Sequence, residues 1–289
     1  MILKAIKNIE EYKSVIEEIN SKEGLVWYRG HSNSMYRMEP SSFRKMKPWE
    51  ERDIPRSGQK NYAIPNEKKE FENFKKQYLI LNPNHPDITD FQILYIMQHY
   101  GVPTRLLDLT SDPLVALYFA VSGDLLSSRP SFNTPVTVED EIEDFFETEG
   151  YTENGAAIFC LNPNWVNDIS LGYASVIDSD LYSLSEMNDR FHPFCVETSF
   201  DEKRIKAQSG KFMYFGEFIH PLDYYDVIRE NLYKIFIPKK LRYSIKKELK
   251  ENENISHCTM FPDIEGLVKE TKESIDEQFN IFCTEHNII

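Results

Sequence analysis

The chain has 289 residues, of which 41% are hydrophobic and 13% aromatic, so it can bury a sizeable core and is not a disordered segment. Its formal net charge of -14 excludes a general nucleic-acid coat protein, because that class neutralises phosphates with an excess of Lys and Arg. The four cysteines are scattered and form no CxxC pair, which favours reduced thiols over disulfides or a metal site.

The chain shows no signal for a membrane or for export. No window approaches the roughly 20 apolar residues that a membrane span needs. The first residues, MILKAIKNIEEYKSV, carry charges every few positions and lack the apolar centre of a secretory signal. We therefore expect a cytoplasmic protein with no membrane partner.

The first quarter of the chain predicts two helices and one strand. A helix that ends near Gly24 is indicated by apolar residues at helical spacing, namely Ile6, Ile9, Tyr12, Ile16 and Ile19. The run Leu25–Gly30 is typical of a short buried strand that stops at a glycine. Aromatic and apolar residues at helical spacing predict a further helix over Glu67–Leu81.

The centre of the chain predicts two apolar helices separated by a polar turn. Asp90 is expected to cap the first helix, which ends at Gly101, and Ser111 to cap the second. The turn between them contains Thr104, Arg105 and Asp108. Polar loops held between packed helices often contain functional sites. Residues 127–154 follow as an acidic insertion, for which we expect a solvated, mobile excursion.

The second half is richer in strands. Three segments have strand length and β-favouring side chains, namely Ala156–Leu161, Lys211–Phe215 and Tyr233–Ile237. A basic helix over Lys239–Lys250 and a terminal helix follow. Helices and strands mix without strict βαβ alternation, and the sequence therefore predicts a single-domain α+β fold.

General enzyme motifs are absent from the chain: GxGxxG, GxxxxGK[ST], HExxH and GxSxG do not occur. The residues that could support chemistry fall in four places. These are Arg29-Gly30, the turn with Arg105 and Asp108, the stretch at Gln208, and the late pair Asp263 and Glu265. No metal is expected.

Four motifs together resemble the FRG domain family. They are Tyr28-Arg29-Gly30, QHYGVPTRLLDLTSDPLVALYFA, RIKAQSGKF and MFPDIEGL, and they follow one another in the order and rough spacing of that family. A tyrosine stands where the Phe of the family name would be. The resemblance spans about Leu25–Val268 and implies three parts: an N-terminal helix over 1–24, an FRG domain over 25–270 with the insertion, and a helical tail over 271–289.

The strand with Arg29 and Gly30 is also similar, more distantly, to the NAD-binding strand of ADP-ribosyltransferases. This likeness implies a split, curved mixed sheet with flanking helices, and NAD as a substrate. It further implies ADP-ribosyl transfer, onto a nucleic-acid base in some members, in a toxin or phage-defence role that could involve an antidote protein. The Glu-x-Glu or Gln-x-Glu strand of that superfamily is missing here, and Gln208-Ser-Gly210 lies near its place.

The resemblance assigns roles to particular residues. Arg29 is expected to hold the NAD, with Gly30 letting the ligand approach the backbone. The expected NAD-binding set is Tyr28, Arg29, Gly30, Thr104 and Arg105. The expected catalytic set is Glu265, Asp108, His99 and Gln208, with Glu265 preferred as the carboxylate because it begins a helix whose first turn can project into a cleft.

Structural roles are open for the same residues. Arg105 and Asp108 could brace each other, His99 could complete a helix C-terminus, and Gln208 could be a core amide bound to backbone. Two other functions also remain open, namely an NAD-hydrolysing toxin and a non-catalytic nucleotide-binding module. A local basic track for DNA or RNA is predicted from three basic stretches, Arg44–Lys47, Lys203–Lys206 and Lys239–Lys247.

Overall fold

A computed structural model describes residues 1–44, 67–123 and 137–285, and in it eight strands form one sheet. The strands are β1 Ile2–Ala5, β2 Trp27–His31, β3 Leu106–Thr110, β4 Gly155–Leu161, β5 Ile177–Asp178, β6 Phe194–Glu197, β7 Gly210–Tyr214 and β8 Tyr233–Pro238. Their order across the sheet is β1-β8-β4-β2-β3-β7-β6-β5. The edge pairs β1/β8 and β5/β6 are parallel and the remaining pairs are antiparallel. The predicted α+β class and mixed sheet are therefore confirmed.

Twelve α-helices flank this sheet within the described residues. They are α1 Ile9–Glu23, α2 Glu67–Leu81, α3 Asp90–His99, α4 Pro113–Val121, α5 Val138–Glu147, α6 Pro163–Leu171, α7 Leu184–Asn188, α8 Lys203–Ala207, α9 Asp226–Asn231, α10 Arg242–Asn252, α11 His257–Met260 and α12 Ile264–Glu285. None of them combines the length and the apolar character that a membrane crossing would require.

The two central strands β2 and β3 are joined by one residue pair only, Tyr28 with Thr110. On its other side β2 pairs with β4 along all of Trp27–His31, and β3 pairs with β7 along all of Leu106–Thr110. The sheet is thus two well-paired halves with a narrow join in the middle. Arg29 of β2 and Asp108 of β3 lie at this join.

Each face of the sheet is covered by its own hydrophobic core. On one face, which we call the α4 face, α1 and α4 pack over β2, β4 and β8, and α3 packs over β3 and β7. On the opposite face a second core gathers Trp27, Leu107, Phe159 and Met213 from four neighbouring strands. Because successive strand residues point to opposite faces, every central strand contributes to both cores.

The elements predicted from regular apolar patterns are confirmed. The helix α1 ends at Glu23 with Gly24 as its C-cap, and α2 spans the predicted Glu67–Leu81. The strands β4, β7 and β8 lie where they were predicted, each within a residue or two. The strand β1 was not predicted, because its four residues acquire their partner from β8, more than 200 residues away.

The predicted polar turn at Thr104–Asp108 is wrong in part, because Leu106–Thr110 is the strand β3. Its pairing partner β7 lies about a hundred residues downstream, so no local pattern marks the strand. Both predicted helix caps are also displaced by one residue. Thr89 caps α3 by accepting from the Gln92 amide, and Asp112 caps α4 by accepting from the Leu114 amide.

The acidic insertion is not an unstructured excursion over the part that the structure describes. Residues 138–147 form helix α5, and the Phe145 ring stacks on Phe236 of β8 with 4.5 Å between centroids. Glu141 is buried beside Phe145 and accepts from the Lys240 amide, whereas Glu139, Glu143 and Glu147 are exposed on the outer side of this amphipathic helix. The charge run concealed its apolar face. Residues 127–136 of the insertion lie outside the described residues.

Gly30 allows the closest contact between the sheet and a helix. A Cβ placed on Gly30 would lie 2.0 Å from the Ala116 carbonyl oxygen and 2.6 Å from the Ala120 amide nitrogen, both backbone atoms of α4. Since backbone of a packed helix cannot yield as a flexible side chain can, this position accepts glycine alone. The contact holds α4 directly on β2.

We expect Gly30→Ala to lower the free energy of unfolding by about 2–3 kcal/mol, the cost of overpacking a tight core. Urea unfolding followed by circular dichroism measures this. A second substitution, Ala116→Gly, should not restore the loss, because the clash is with backbone and not with the Ala116 methyl group. Unchanged stability of Gly30→Ala would contradict the packing role.

Candidate functional site

Arg29 lies at the narrow join between β2 and β3, where the two strands stop pairing. Its Nε donates to His31 Nε2 at 2.8 Å, and its Nη1 donates to the backbone carbonyl of Asp108. The side chain is half-buried, and burial lowers its pKa to about 10, so the guanidinium remains protonated at neutral pH. Arg29 thus bridges the gap that the strands leave open.

Both acceptors of Arg29 are uncharged. His31 is buried, and burial followed by the charge of Arg29 lowers its pKa well below the ordinary value, so its ring is neutral. The geometry sets the tautomer: Nε2 accepts from Arg29, and Nδ1 donates to the Tyr36 carbonyl at 3.3 Å. No carboxylate of the described residues lies within ion-pair distance of the Arg29 guanidinium.

Asp108 lies across the join from Arg29, on β3. Its carboxylate is exposed to solvent, yet loss of hydration among the surrounding protein atoms raises its pKa, while the charge of Arg29 acts in the opposite direction. The Arg29 guanidinium meets Asp108 at its backbone carbonyl. The Asp108 carboxylate points toward Gln98 of α3, on the other face of the sheet.

A chain of hydrogen bonds fixes the Asp108 carboxylate. Gln98 of α3 donates from Nε2 to Asp108 Oδ1 at 2.6 Å, and its own Oε1 accepts from the Thr104 hydroxyl. The Thr104 amide in turn donates to Ser41 Oγ at 3.2 Å. Gln98 was not among the predicted site residues, although it opens the central motif. Its place in the same motif as Asp108 was the signal that could have identified it.

Arg105 has a structural role. It is buried, its Nε donates to both carboxylate oxygens of Glu67 at 2.9 and 3.0 Å, and its Nη1 donates to the Gly216 carbonyl. The guanidinium also lies over the Phe43 ring, in the core of the face opposite α4. The expected brace between Arg105 and Asp108 is wrong, because the two side chains lie on opposite faces and each has another partner.

Tyr28 and Gly30 belong to the core of the α4 face. The Tyr28 ring is 2% exposed and its hydroxyl donates to Asn20 Oδ1 of α1 at 2.6 Å, which leaves no ring face for a ligand. Tyr118 of α4 is buried too, and its hydroxyl lies 2.8 Å from His257 Nδ1. Strand alternation explains this outcome, since Tyr28 and Gly30 point away from Arg29.

The remaining predicted residues meet in a second cluster around Arg204 of α8. Arg204 Nε binds Asp263 Oδ2 at 2.6 Å and its Nη2 binds Glu265 Oε2 at 2.9 Å, so both late carboxylates are ion-paired. Gln208 donates from Nε2 to the Met260 carbonyl at 3.0 Å, as expected of a core amide. His99 is the last residue of α3, and burial followed by the charge of Arg204 lowers its pKa.

Tyr95 stands between the two groups of residues. Its hydroxyl donates to Glu202 Oε2 at 2.8 Å, at the start of α8, and its pKa is raised first by burial and then by this bond. The charges of Asp108 and Arg204 both act on the same hydroxyl. Asp108 and the Arg204 cluster therefore both lie near Tyr95, but only Asp108 contacts Arg29, through its backbone carbonyl.

A buried group of charges on the opposite face was not predicted. Lys234 of β8 is fully buried, and its Nζ donates to the Ser34 carbonyl at 2.7 Å and lies 3.7 Å from the Tyr151 ring centroid. The Tyr151 hydroxyl binds Asp223, which also pairs with Arg37 at 3.0 Å. Burial lowers the pKa of Lys234 to about 7, while Asp223 acts against this shift.

Several basic side chains of the predicted track form ion pairs where the structure describes it. Lys206 pairs with Asp201, Lys246 with Glu273 and Lys247 with Glu251, in addition to the Arg204 pairs. Of the first basic stretch, only Arg44 lies within the described residues. No group of three or more potential metal ligands occurs among the residues described.

We expect Arg105→Met to lower the free energy of unfolding by about 2–3 kcal/mol, because it leaves the partly buried Glu67 carboxylate without its cation. Denaturant unfolding measures the loss. Arg229→Met, which removes an exposed pair with Asp226, is the control and should cost about 0–0.5 kcal/mol. Equal losses in the two variants would contradict a buried brace at Arg105.

Lys234 should make stability depend on pH. The pKa of its ammonium falls from 10.5 to about 7 on folding, so between these values the unfolded chain binds more protons and the free energy of unfolding rises with pH. The slope from one such group is at most about 1.4 kcal/mol per pH unit. Unfolding between pH 7 and 10 should show this slope in the wild type and lose it in Lys234→Met. Lys247→Met, at an exposed position, should keep it.

Comparison with known proteins gives a match in the first half of the chain, over a segment that includes the join between β2 and β3. Searches of curated proteins and of solved structures found no match. A family model does match, over residues 24–128, which include Arg29, Gln98, Thr104 and Asp108 and end before Gln208 and Glu265. The extension of the domain to residue 270 remains a prediction. The match confirms the resemblance carried by the Tyr28-Arg29-Gly30 and central motifs: the chain contains an FRG domain.

Proposed function

We propose that this protein is an NAD-dependent ADP-ribosyltransferase whose site is the join between β2 and β3. The observation that carries the proposal is the contact of the Arg29 guanidinium with the Asp108 backbone at the join, where its acceptors among the described residues are the neutral His31 ring and this carbonyl. A fixed cation with no carboxylate of the described residues within ion-pair distance attracts an anion, and a guanidinium suits the pyrophosphate of NAD. The narrow join supports an ADP-ribosyltransferase-like split sheet, with NAD in the split.

Asp108 is the carboxylate that this chemistry needs. When the bond between nicotinamide and C1′ of the ribose breaks, positive charge develops on the sugar, and an aligned carboxylate stabilises it. Burial raises the pKa of Asp108, and the charge of Arg29 followed by the bond from Gln98 acts against this shift and favours the ionised form. Gln98 and Thr104 hold its orientation, which serves catalysis because a preorganised group needs no rearrangement during the reaction.

Glu265, the carboxylate preferred from the sequence, is a weaker candidate. Its Oε2 is bound to Arg204, and its side chain is 82% exposed, so it lacks both freedom and a surrounding cleft. The contact between Arg29 and the Asp108 backbone has no counterpart at Glu265. We therefore assign the carboxylate role to Asp108 and keep Glu265 as the matched comparison.

The acceptor of the ADP-ribose is proposed to be a nucleic-acid base, with a toxin or phage-defence role as the biological setting and an antidote protein as a possible partner. Water as acceptor would make the protein an NAD hydrolase. Binding without turnover would make it a nucleotide-binding module. These three differ in products and are separated by one assay.

The assay incubates the protein with labelled NAD, alone and with single-stranded DNA or RNA, and follows nicotinamide release and label transfer. We expect transfer to one nucleic acid. Asp108→Asn keeps an oxygen for Gln98 but removes the charge, and should reduce nicotinamide release about 100- to 1000-fold. Arg29→Ala should weaken NAD binding while leaving the protein folded. Glu265→Gln should stay within about twofold of the wild type, since it changes only an exposed ion pair.

Full release by Asp108→Asn would remove the carboxylate mechanism. Release without transfer would support the hydrolase, and NAD binding without release the binding module. Circular dichroism and urea unfolding of each variant show whether a lost activity reflects a lost fold.

A further inference from the structure

The last helix, α12, is attached to the rest of the molecule by polar side chains. Glu270 pairs with Lys250 of α10 at 3.0 Å and accepts from the Cys258 amide of α11 at 2.6 Å. Glu273, one turn further along α12, pairs with Lys246 of α10 at 3.0 Å. These contacts fix the rotation of α12 about its own axis.

A close approach at Gly266 fixes the same rotation. A Cβ placed on Gly266 would lie 1.9 Å from the Phe261 carbonyl oxygen, so the start of α12 meets backbone there and glycine alone fits. Gly266, Glu270 and Glu273 lie on one side of the helix, because residues three and four positions apart are neighbours on its surface. That side faces the body of the protein, and the opposite side faces outward.

The outward side of α12 is apolar, and we call it the α12 stripe. It consists of five side chains at helical spacing that are 45–79% exposed, namely Ile264, Leu267, Val268, Ile275 and Phe279. A helix with one apolar side normally turns that side toward the core. In α12 the polar contacts hold it toward solvent, which is the orientation expected where another molecule covers the apolar side.

The α12 stripe has the size of an interaction surface. A large apolar side chain at these exposures presents roughly 100 Å², so the stripe presents about 500 Å² in each copy of the chain. Contiguous apolar patches of this size often mark a site where another molecule docks. Two such stripes packed together would bury about 1000 Å², the lower limit for a specific interface between proteins.

The sequence of α12 is complementary to itself when two copies run antiparallel. With the pair centred level with Glu273, Leu267 lies opposite Phe279 of the second copy, because they are six positions before and after the centre. Thr271 and Ile275, two positions before and after, oppose each other in the same way. Apolar side chains thus meet a counterpart near the middle and toward both ends of the stripe.

Charges beside the α12 stripe match in the same register. Lys269 and Asp276 are both exposed and lie seven positions apart, on the same side of the stripe. Lys269 is four positions before the centre and Asp276 three after it, so Lys269 of each copy lies next to Asp276 of the other. A two-fold axis produces this contact twice.

We infer that the α12 stripe is a homodimer interface, in which α12 packs antiparallel against α12 of a second copy across a two-fold axis. Burial of the stripe supplies the affinity, and the pairing of Lys269 with Asp276 sets the register. An interface of this size gives a dissociation constant of about 1–100 µM. None of its residues belongs to the site proposed at Arg29 and Asp108.

Sedimentation equilibrium of the full chain from about 1 to 300 µM should show a monomer–dimer equilibrium. Ile275→Glu places a charge in the middle of the stripe and should weaken dimerisation at least about 100-fold, because the interface would bury an unpaired carboxylate. Leu81→Glu, at an exposed apolar position of α2, is the control and should leave the equilibrium unchanged. Both variants should keep the melting temperature of the dilute wild-type protein, since both positions are exposed in the monomer.

Charge reversal tests the antiparallel register. Lys269→Asp and Asp276→Lys should each weaken the homodimer about 5- to 10-fold, because each brings like charges together twice in one dimer. An equimolar mixture of the two variants should recover the wild-type affinity, since both contacts of the mixed dimer then join an Asp to a Lys.

A chain that stays monomeric up to about 300 µM would overturn the inference. Binding of that monomer to vesicles of phosphatidylcholine and phosphatidylserine would assign the α12 stripe to a membrane surface instead. A dimer that Ile275→Glu leaves intact would place the interface elsewhere, and a mixture as weak as its two components would contradict the antiparallel register. Asp108→Asn should dimerise like the wild type even where it abolishes nicotinamide release.

Discussion

The contact between Gly30 and helix α4 governs the rest of the arrangement. Because a Cβ at this position would lie 2.0 Å from the Ala116 carbonyl oxygen, strand and helix meet backbone to backbone. That contact fixes which face of β2 is core, and strand alternation then directs Arg29 and His31 to the other face. The location of the cation is thus a consequence of packing on the opposite side of the sheet. Gly30, which was predicted to lie next to a ligand, packs against α4, and this packing positions Arg29.

The arginines of the chain differ in what neutralises them. Arg105 and Arg204 each bind carboxylates, one in a core and one near the surface. Arg29 instead donates to a neutral imidazole and a carbonyl, which satisfy its hydrogen bonds without cancelling its charge. A guanidinium that is hydrogen-bonded, but has no carboxylate of the described residues within ion-pair distance, is held in place and still attracts an anion. For this reason the proposed anion-binding group is Arg29 and not a cluster of many basic residues.

The sequence could predict elements whose pattern is local. The apolar spacing of α1 and the continuous apolar runs of β4 and β8 marked them without knowledge of the fold. The strand β3 could not be recognised, since Leu106–Thr110 contains Asp108 and becomes a strand only through pairing with β7. The ion pair of Glu265 could not be predicted for the same reason. Arg204 and Glu265 lie 61 positions apart, and no local pattern shows that they pair.

The central motif shows how one short segment can serve both fold and site. Thr104 and Asp108 point toward α3 and join the hydrogen-bond chain of Gln98, whereas Arg105 and Leu107 enter the core of the other face. Neighbouring residues of the motif therefore have different roles: some form hydrogen bonds near α3 and others pack in the core of the opposite face. Substitutions at Thr104 or Asp108 change the charge or the hydrogen bonds of an accessible carboxylate. A substitution at Arg105 leaves the Glu67 carboxylate without its cation. The residue spacing of the motif follows from the two-residue period of a strand, which is why a fold determinant and a functional group can alternate within it.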